Sequence, residues 1–397
     1  MNALEYLESL QGSGIRPGLG RIRALLRRLG RPERAYPSII VAGTNGKGST
    51  SAMLASILDA SGYRTAHYTS PHLVDIRERW MIAGHPITDD LLEASVARLR
   101  EAAEAIDITP TYFEALTIVA FIAFETAACD VAVLEVGMGG RLDATNVVRP
   151  VAAVITPIGF DHVEFLGRTL RKIAREKAGV IHRGAVVLTS NTDPAVVGVI
   201  RRRAEKFGNR FIVVTEERDA PLPGLFQRRN AALAARTAEE LRPRFPQITP
   251  LTIERGLAAT RWRGRLERMR RGGKDIWIDG AHNPHALQAI APFIEEHVPP
   301  PRALLFGIMS DKDLVASARI LFPLFETIVT TEPFPPRSAP AGELAAIART
   351  MGIAAVAEPD PRAAFERALA LPQRSIFVGG SLYLAGAAIA FFDTLSE

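Results

Sequence analysis

The chain has 397 residues, 47% of them apolar and 23% charged, and 48 basic against 43 acidic side chains leave a formal charge of +5. That length accommodates two domains with separate cores, the apolar share excludes long disordered tracts, and the mild basic excess suits small anions without requiring nucleic acid. A single cysteine, Cys129, excludes an internal disulfide. It adjoins the apolar run 131–134 and reads as a buried, inert thiol in a reducing compartment. The first ten residues lack the basic and then apolar pattern of a leader, and the longest apolar runs, 116–124 and 382–392, are shorter than the roughly 20 residues that span a bilayer. The expectation is a cytoplasmic protein with neither a membrane nor a nucleic-acid partner.

Leu4, Leu7 and Leu10 predict an apolar stripe on a first helix, and Leu19, Ile22, Leu25, Leu26 and Leu29 predict one on a second. Ile39, Ile40 and Val41 then predict a buried strand that runs into Gly43-Thr44-Asn45-Gly46-Lys47-Gly48-Ser49-Thr50. The glycines let backbone N–H groups turn inward, the helix predicted over 49–60 aims its positive end at the same point, and Lys47 adds a point charge. This is the chemistry of a phosphate loop for a nucleoside triphosphate. The match to G-x-x-x-x-G-K-[ST] is imperfect, because the first Gly falls on Val41 and Gly48 separates Lys47 from Ser49. A ligand-free Gly-rich turn is the plainer alternative for these residues alone.

A strand over 64–68 leads into Thr69-Ser70-Pro71-His72-Leu73, with Arg77-Glu78-Arg79 following, where α/β sheets keep their ligands. A solvated charged turn is the competing reading of that loop. Thr88 is placed to cap a helix over 89–105, and Thr111-Tyr112-Phe113-Glu114 opens an apolar helix to about 127. The strand 131–136 carries Glu135 to the carboxyl edge of the sheet, a Walker-B-like position where a buried carboxylate beside a triphosphate would face Mg²⁺. Strand 152–156 ends at Asp161-His162. Three strand ends thus deliver Ser70, Glu135 and His162 to one side, which favours a cation site over a structural histidine. Glu176 and Lys177, on the helix after Thr169, read by periodicity as a solvated face. Strands over 186–188 and 212–214, with a helix over 194–207 between them, complete a mainly parallel sheet covered on both faces.

A helical section runs from Gly224 to 241, and Thr252 is expected to cap a helix ending near 260. The run 261–274 contains six Arg, one Lys and one Glu and closes on Gly272-Gly273-Lys274. It lacks interleaved aromatics beyond Trp262, so it reads as a basic hinge between domains 1–261 and 262–397 and not as a nucleic-acid module. The second domain restarts with a strand over 275–278 and Asp279-Gly280-Ala281-His282-Asn283-Pro284, with Asn283 as N-cap. Strands over 303–306, 327–330, 354–357 and 375–378 alternate with helices, without a G-x-G-x-x-G dinucleotide fingerprint. The fold class is therefore α/β, a P-loop NTPase-like, mainly parallel sheet domain followed by a Rossmann-like C-terminal domain. A regulatory P-loop GTPase would need a guanine-reading Asn-Lys-x-Asp element, and no Asn here precedes a Lys.

The phosphate loop, Thr69-Ser70-Pro71-His72-Leu73, Leu134-Glu135-Val136-Gly137, Gly139-Gly140-Arg141-Leu142-Asp143-Ala144-Thr145-Asn146, Asp161-His162 and Glu176-Lys177-Ala178-Gly179 together resemble folylpolyglutamate synthase/dihydrofolate synthase. So do Asp279-Gly280-Ala281-His282-Asn283-Pro284, Met309-Ser310-Asp311-Lys312-Asp313 and Gly380-Ser381-Leu382-Tyr383-Leu384. That family shares the architecture of the Mur ligases without their extra N-terminal domain. The resemblance implies an ATP-dependent ligase that joins L-glutamate to dihydropteroate, to folates, or to both through an acyl phosphate. It implies that Thr44, Asn45, Gly46, Lys47, Gly48, Ser49 and Thr50 hold ATP, with Asn230, Arg265 and Asp279 on its adenine, ribose or phosphates. Ser70, Glu135 and His162 would bind Mg²⁺, and Lys177 would be a carbamate that helps hold a second Mg²⁺; K⁺ is a further candidate ion. Lys47, Glu135, His162 and Lys177 are the expected catalytic set. Thr111, Phe113, Asp143 and Ala144 match the dihydropteroate pocket, Arg79, His282 and Ser381 are assigned to glutamate, and the expected state is a monomer. Two departures stand out: Phe226 precedes Gln227 where the family has His or Tyr, and Arg263 replaces the Pro of W-P-G-R-L-E, which is expected to loosen the hinge. The remaining alternative is a Mur-type amino-acid ligase acting on another carboxylate.

Overall fold

The computed structural model describes residues 1–14 and 16–395. Its first half is built on eight strands: β1 (Ser38–Ala42), β2 (Thr65–Tyr68), β3 (Trp80–Ile82), β4 (His85–Pro86), β5 (Val131–Glu135), β6 (Ala152–Ile155), β7 (Val186–Thr189) and β8 (Phe211–Val213). They lie in the order β4-β3-β2-β5-β1-β6-β7-β8. β1 pairs in parallel with β5 (Ile39 opposite Val133) and with β6 (Ile39 opposite Ala152), so it occupies the middle of the sheet. β3 and β4 form an antiparallel edge that the sequence pattern did not predict.

Successive residues of β1 serve opposite layers. Ile39 and Val41 pack with the helices Lys47–Ala60, Leu225–Leu241 and Pro250–Ala259, whereas Ile40 and Ala42 pack with Leu170–Lys177 and Pro194–Lys206. Burial on both faces is why this strand reads as an unbroken apolar run. A further core beyond β2 and β5 gathers the helices Ala3–Ser9, Gly20–Arg28, Asp89–Ala105 and Tyr112–Thr126.

The second half has strands β9 (Glu267–Arg271), β10 (Lys274–Ile278), β11 (Arg302–Phe306), β12 (Thr327–Thr330), β13 (Ala354–Ala357) and β14 (Ser375–Gly379), in the order β13-β12-β11-β14-β10-β9. All neighbours are parallel except β9 and β10. No helix among the described residues is long and apolar enough to cross a membrane.

Three local expectations change. Leu4 is 44% exposed, because the first helix is only Ala3–Ser9 and buries Ala3 and Leu7, with Leu10 at its cap. The N-cap near 250 is Thr249, with Pro250 in the first turn and Thr252 completing a capping box. The largest change is the basic run, half of which is strand. Gly272 and Gly273, at φ 55° and 73°, make the left-handed pair that a two-residue hairpin turn requires. Charge disguised the strand: Arg268 and Arg270 point outward while Met269 packs inward, the pattern of a protected edge. Arg263, expected to loosen this region, pins it instead, with forked bonds to Glu267 and to Asp393 on the last helix.

Candidate active site

The carboxyl ends of both sheets open onto one cleft of about 980 Å³. Residues 43–49 after β1, Ser70 after β2, Glu135 at the end of β5, Asp161 and His162 after β6, and Lys177 line it from the first half. Asn230, Arg265, Asp279, Gly280 and His282 line it from later in the chain. Thr50, Arg79, Thr111, Phe113, Asp143, Ala144 and Ser381 do not.

The phosphate loop is shaped by close approach. A Cβ on Gly43 would lie 1.8 Å from Thr156 Oγ1, and one on Gly46, itself left-handed at φ 81°, would lie 2.6 Å from Asn230 Oδ1. The helix starts at Lys47, two residues earlier than expected, and the extra Gly48 leaves room for the indole of Trp262, 3.0 Å from a built Cβ. Lys47 Nζ donates back to the Thr44 carbonyl at 3.1 Å. Gln227, given no role from sequence, donates to Ser49 Oγ at 3.2 Å and accepts from Asn230 Nδ2 at 2.9 Å, so one helix clamps the loop. Phe226 presents an apolar ring to the cleft.

Glu135 and Lys177 are buried on the cleft wall, and neither has an ion-pair partner among the described residues. Burial raises the Glu135 carboxyl against the pull of Lys47, and the hydrogen bond from the Ser70 N–H to Glu135 Oε2 is long at 3.4 Å. Burial, and then Lys47, lower the Lys177 amine to about 7. Lys177 Nζ donates to the Gly43 carbonyl at 2.6 Å, which turns it away from the solvated face that helix periodicity suggested. Burial also lowers the His162 imidazole to about 4, leaving it neutral at physiological pH. His162 adopts φ 48°, a strained backbone for a non-glycine residue, at the cap of a short helix.

Opposite them the halves are clasped by polar contacts. Asn45 and Asn283 exchange amide hydrogen bonds at 3.2 and 3.0 Å, and Asn45 Nδ2 lies 2.7 Å from His285 Nδ1. Lys312 Nζ reaches Asp161 Oδ1 at 2.7 Å. Burial by itself would raise the Asp161 carboxyl; hydrogen bonding to His282 and the neighbouring positive charge, Lys312 included, hold it well below the carboxylate range. Asp161 and Lys312 belong to separate motifs 151 positions apart, and no local pattern in the sequence links them.

The remaining expected residues stand behind the cleft. Phe113 packs against Gly137, where a Cβ would meet its ring at 2.5 Å, so it touches the loop that leaves β5. Thr111 caps the helix Tyr112–Thr126, Asp143 caps the turn Ala144–Val147 and accepts from Met138 N–H at 3.0 Å, and Ser381 caps the helix Leu382–Asp393. Arg79 Nε donates to His72 Nδ1 at 2.9 Å. Ser190, which no pattern singled out, lines the cleft at the end of β7 with a buried hydroxyl lacking a hydrogen-bond partner among the described residues.

No group of three or more His, Cys, Asp or Glu side chains capable of holding a metal gathers among the described residues. The donors present suit Mg²⁺ nonetheless. That ion binds through one or two carboxylates together with substrate phosphates, and Glu135 is a buried carboxylate on the cleft wall whose hydrogen bond from the Ser70 N–H is long.

Comparison with known proteins agrees with this geometry. The Mur ligase middle domain matches residues 41–230, and the Mur ligase glutamate ligase domain matches 264–382. The chain is 37% identical to a dihydrofolate synthase/folylpolyglutamate synthase of Bacillus subtilis over 75% of its own length and 77% of the relative's. It is 35% identical to the folylpolyglutamate synthase of Lacticaseibacillus casei over 92% of both. A Mycobacterium tuberculosis folylpolyglutamate synthase complexed with ADP and AMPPCP superposes with a TM-score of 0.89 at 33% identity, covering 98% of each chain. An Escherichia coli FolC in complex with DHPP and ADP gives 0.88 at 28%, covering 99% and 98%. With the two Mur ligase domains in succession and relatives of this identity and coverage, the chain belongs to the folylpolyglutamate synthase/dihydrofolate synthase family of Mur ligases.

Proposed function

We propose that this protein is an ATP-dependent ligase that joins L-glutamate to the carboxylate of dihydropteroate and to the γ-carboxylate of folate glutamates. It works as a cytoplasmic monomer, divided at 261/262 into an ATP-binding part and a part that presents glutamate. The observation that carries this reading is the shared cleft, where Lys47, Glu135 and Lys177 of the first half face Asp279 and His282 of the second.

A carboxylate is a poor electrophile, so its oxygen first attacks the γ-phosphorus of ATP, and ADP leaves. Lys47 and the N–H groups at the start of the helix Lys47–Ala60 neutralise charge on the transferring group. Mg²⁺ held by Glu135, Ser70 and His162 would supply further neutralisation there. The glutamate amine then attacks the acyl carbon, and phosphate departs as the amide forms. Arg265 and Asp279, supported by Asn230, take the nucleotide from the far wall; His282 orients glutamate, with Arg79 acting from behind the cleft through His72 and Ser381 through the helix it caps. Thr111, Phe113, Asp143 and Ala144 shape the pterin side through the loop after β5. The polar clasp keeps water from the acyl phosphate, which would otherwise hydrolyse. An amine lowered to about 7 is partly neutral at physiological pH, so Lys177 can add to CO₂, forming an N–C bond and releasing one proton, and its carbamate would offer an oxygen donor to a second Mg²⁺.

The test is phosphate release from Mg-ATP and L-glutamate with dihydropteroate, tetrahydrofolate or no acceptor, with the glutamylated product weighed by mass spectrometry. Both acceptors should support turnover. Turnover with one alone would narrow the activity to that acceptor, and none with either, from folded protein that binds ATP, would overturn the proposal.

A further inference from the structure

Gly386 lies inside the helix Leu382–Asp393, where glycine weakens a helix relative to alanine and no left-handed backbone requires it. Its surroundings explain it. A Cβ at this position would fall 2.0 Å from the carbonyl oxygen of Leu73, a residue of the first half. Leu73 otherwise packs into a core built from residues 269–395, and a Cβ on Gly264 would come within 3.2 Å of its Cδ1. The last helix of the second half therefore carries a seat, floored by Gly386 and edged by Gly264, for the tip of one loop of the first.

That loop is stiff. The Glu78 carboxylate accepts from the N–H groups of Leu73, Val74 and Asp75 at 2.7, 3.0 and 2.9 Å. Its neck is closed by the Thr69 N–H on the Arg79 carbonyl at 3.1 Å and by Thr69 Oγ1 on the Glu78 carbonyl at 3.2 Å. A loop of eleven residues, 69–79, held at tip and neck passes a push at Leu73 to Ser70, whose N–H faces Glu135, and to Arg79, which is bonded to His72. Compact loops with adjoining ends are packed by their own side chains, as this one is by Glu78 and Thr69.

We propose that Gly386 is a positioning residue: by admitting the Leu73 carbonyl it registers loop 69–79 against the second half, so that Ser70 reaches its working place beside Glu135 only when the two halves are docked. The loop contact stands on geometry alone; its consequence for turnover rests on the ligase reading.

The experiment compares the full-length wild type with Gly386→Ala, Leu73→Ala and Leu73→Met, and with Gly342→Ala, which adds the same methyl to another helix of the second half where it meets open space. Hydrogen exchange followed by mass spectrometry reports on residues 69–79 without any ligand, and kcat and KM are measured for each variant. Gly386→Ala and Leu73→Ala should speed exchange in 69–79 and leave peptides from β1 and β5 unchanged. They should lower kcat/KM towards the about 10²-fold that a 1 Å misplacement costs, while Leu73→Met and Gly342→Ala stay near wild type. Unchanged exchange in 69–79, or faster exchange with intact turnover, would overturn the proposal; in the second case the seat is packing alone. If Gly386→Ala does not fold, Leu73→Ala, altered at a half-exposed loop tip, decides by the same readings. If the wild type turns over no folate, the ligase reading fails while the exchange comparison still decides the loop contact.

Discussion

Two pairs of buried charges, one where Asp161 at the edge of the cleft meets Lys312 and one on the cleft wall, meet opposite fates. Lys312 and Asp161, with side chains 8% and 10% exposed, are 2.7 Å apart, and hydrogen bonding to His282 with nearby charge, Lys312 included, holds the Asp161 carboxyl well below the carboxylate range. Glu135 and Lys177 are as deeply buried, yet neither has a counter-ion at such range among the described residues, and burial drives both towards neutrality. Pairing makes the first two a fastener between halves of the molecule. Its absence makes the second two a store of unmet charge that a ligand bearing phosphate, metal or CO₂ would discharge.

The largest break in that comparison is Lys177→Met. It should cut turnover by roughly 10²–10³-fold, the usual cost of removing one group that stabilises developing charge. It should also raise the stability of the ligand-free protein, by roughly 1–2 kcal/mol, since active-site groups are commonly kept against stability. The pH dependence fixes the sign. An unfolded lysine titrates near about 10.4, and the folded one titrates at about 7. Between those values the unfolded chain binds a proton that the folded chain lacks, so wild-type stability rises with pH there. Below pH 7 both states are protonated and the burial penalty is complete. The gain from Lys177→Met is therefore largest at pH 6 and shrinks towards pH 9, in CO₂-depleted buffer. Melting temperatures at the two pH values decide it, and a gain no larger at pH 6 than at pH 9 would remove Lys177 from the unmet-charge class.

The paired class breaks differently. Lys312→Met leaves Asp161 buried without its ammonium and should cost about 3 kcal/mol, near the low end for breaking a buried pair because Asn283 still bonds the carboxylate. Adding Asp161→Asn removes the stranded charge, so the double variant should recover much of the loss. Urea unfolding of the two single variants and the double variant closes the cycle. Additive losses would show that the two side chains do not act as a pair.

The contrast between these classes was only half legible in the sequence. Pattern puts Glu135 and Ser70 at strand ends, because β-branched apolar runs mark strands and parallel sheets keep ligands at their carboxyl edges, and both line the cleft. Lys177 was assigned through family resemblance and not through pattern, because a lysine near the end of a basic helix looks solvated until the fold brings the Gly43 carbonyl, 134 positions away, to within 2.6 Å. The same holds for Asp161 and Lys312, whose pairing depends on how two sheets face each other. Elements were lost where charge hid their period, as in β9, or where an element was too short to show one, as in β3 and β4. Thr252 reads as a cap because it precedes an apolar pattern. The chain uses Thr249 with Pro250, and both readings satisfy the same local rules.

Arg263 sharpens the comparison from the other side. Its guanidinium lies 2.7 Å from Asp393 and 2.8 Å from Glu267, as close as Lys312 lies to Asp161, but the Arg263 and Asp393 side chains are 48% and 43% exposed. If distance set the worth of a pair, Arg263→Ala would cost as much as Lys312→Met. If burial sets it, water already solvates the partners, and the loss should be about 0.5–1 kcal/mol and shrink further in 0.5 M salt. Urea unfolding at low and high salt separates the two. A salt-insensitive loss near 3 kcal/mol would mean that the fork between β9 and the last helix is a true clasp of the second half, and that a short distance, even at the surface, is enough to make one.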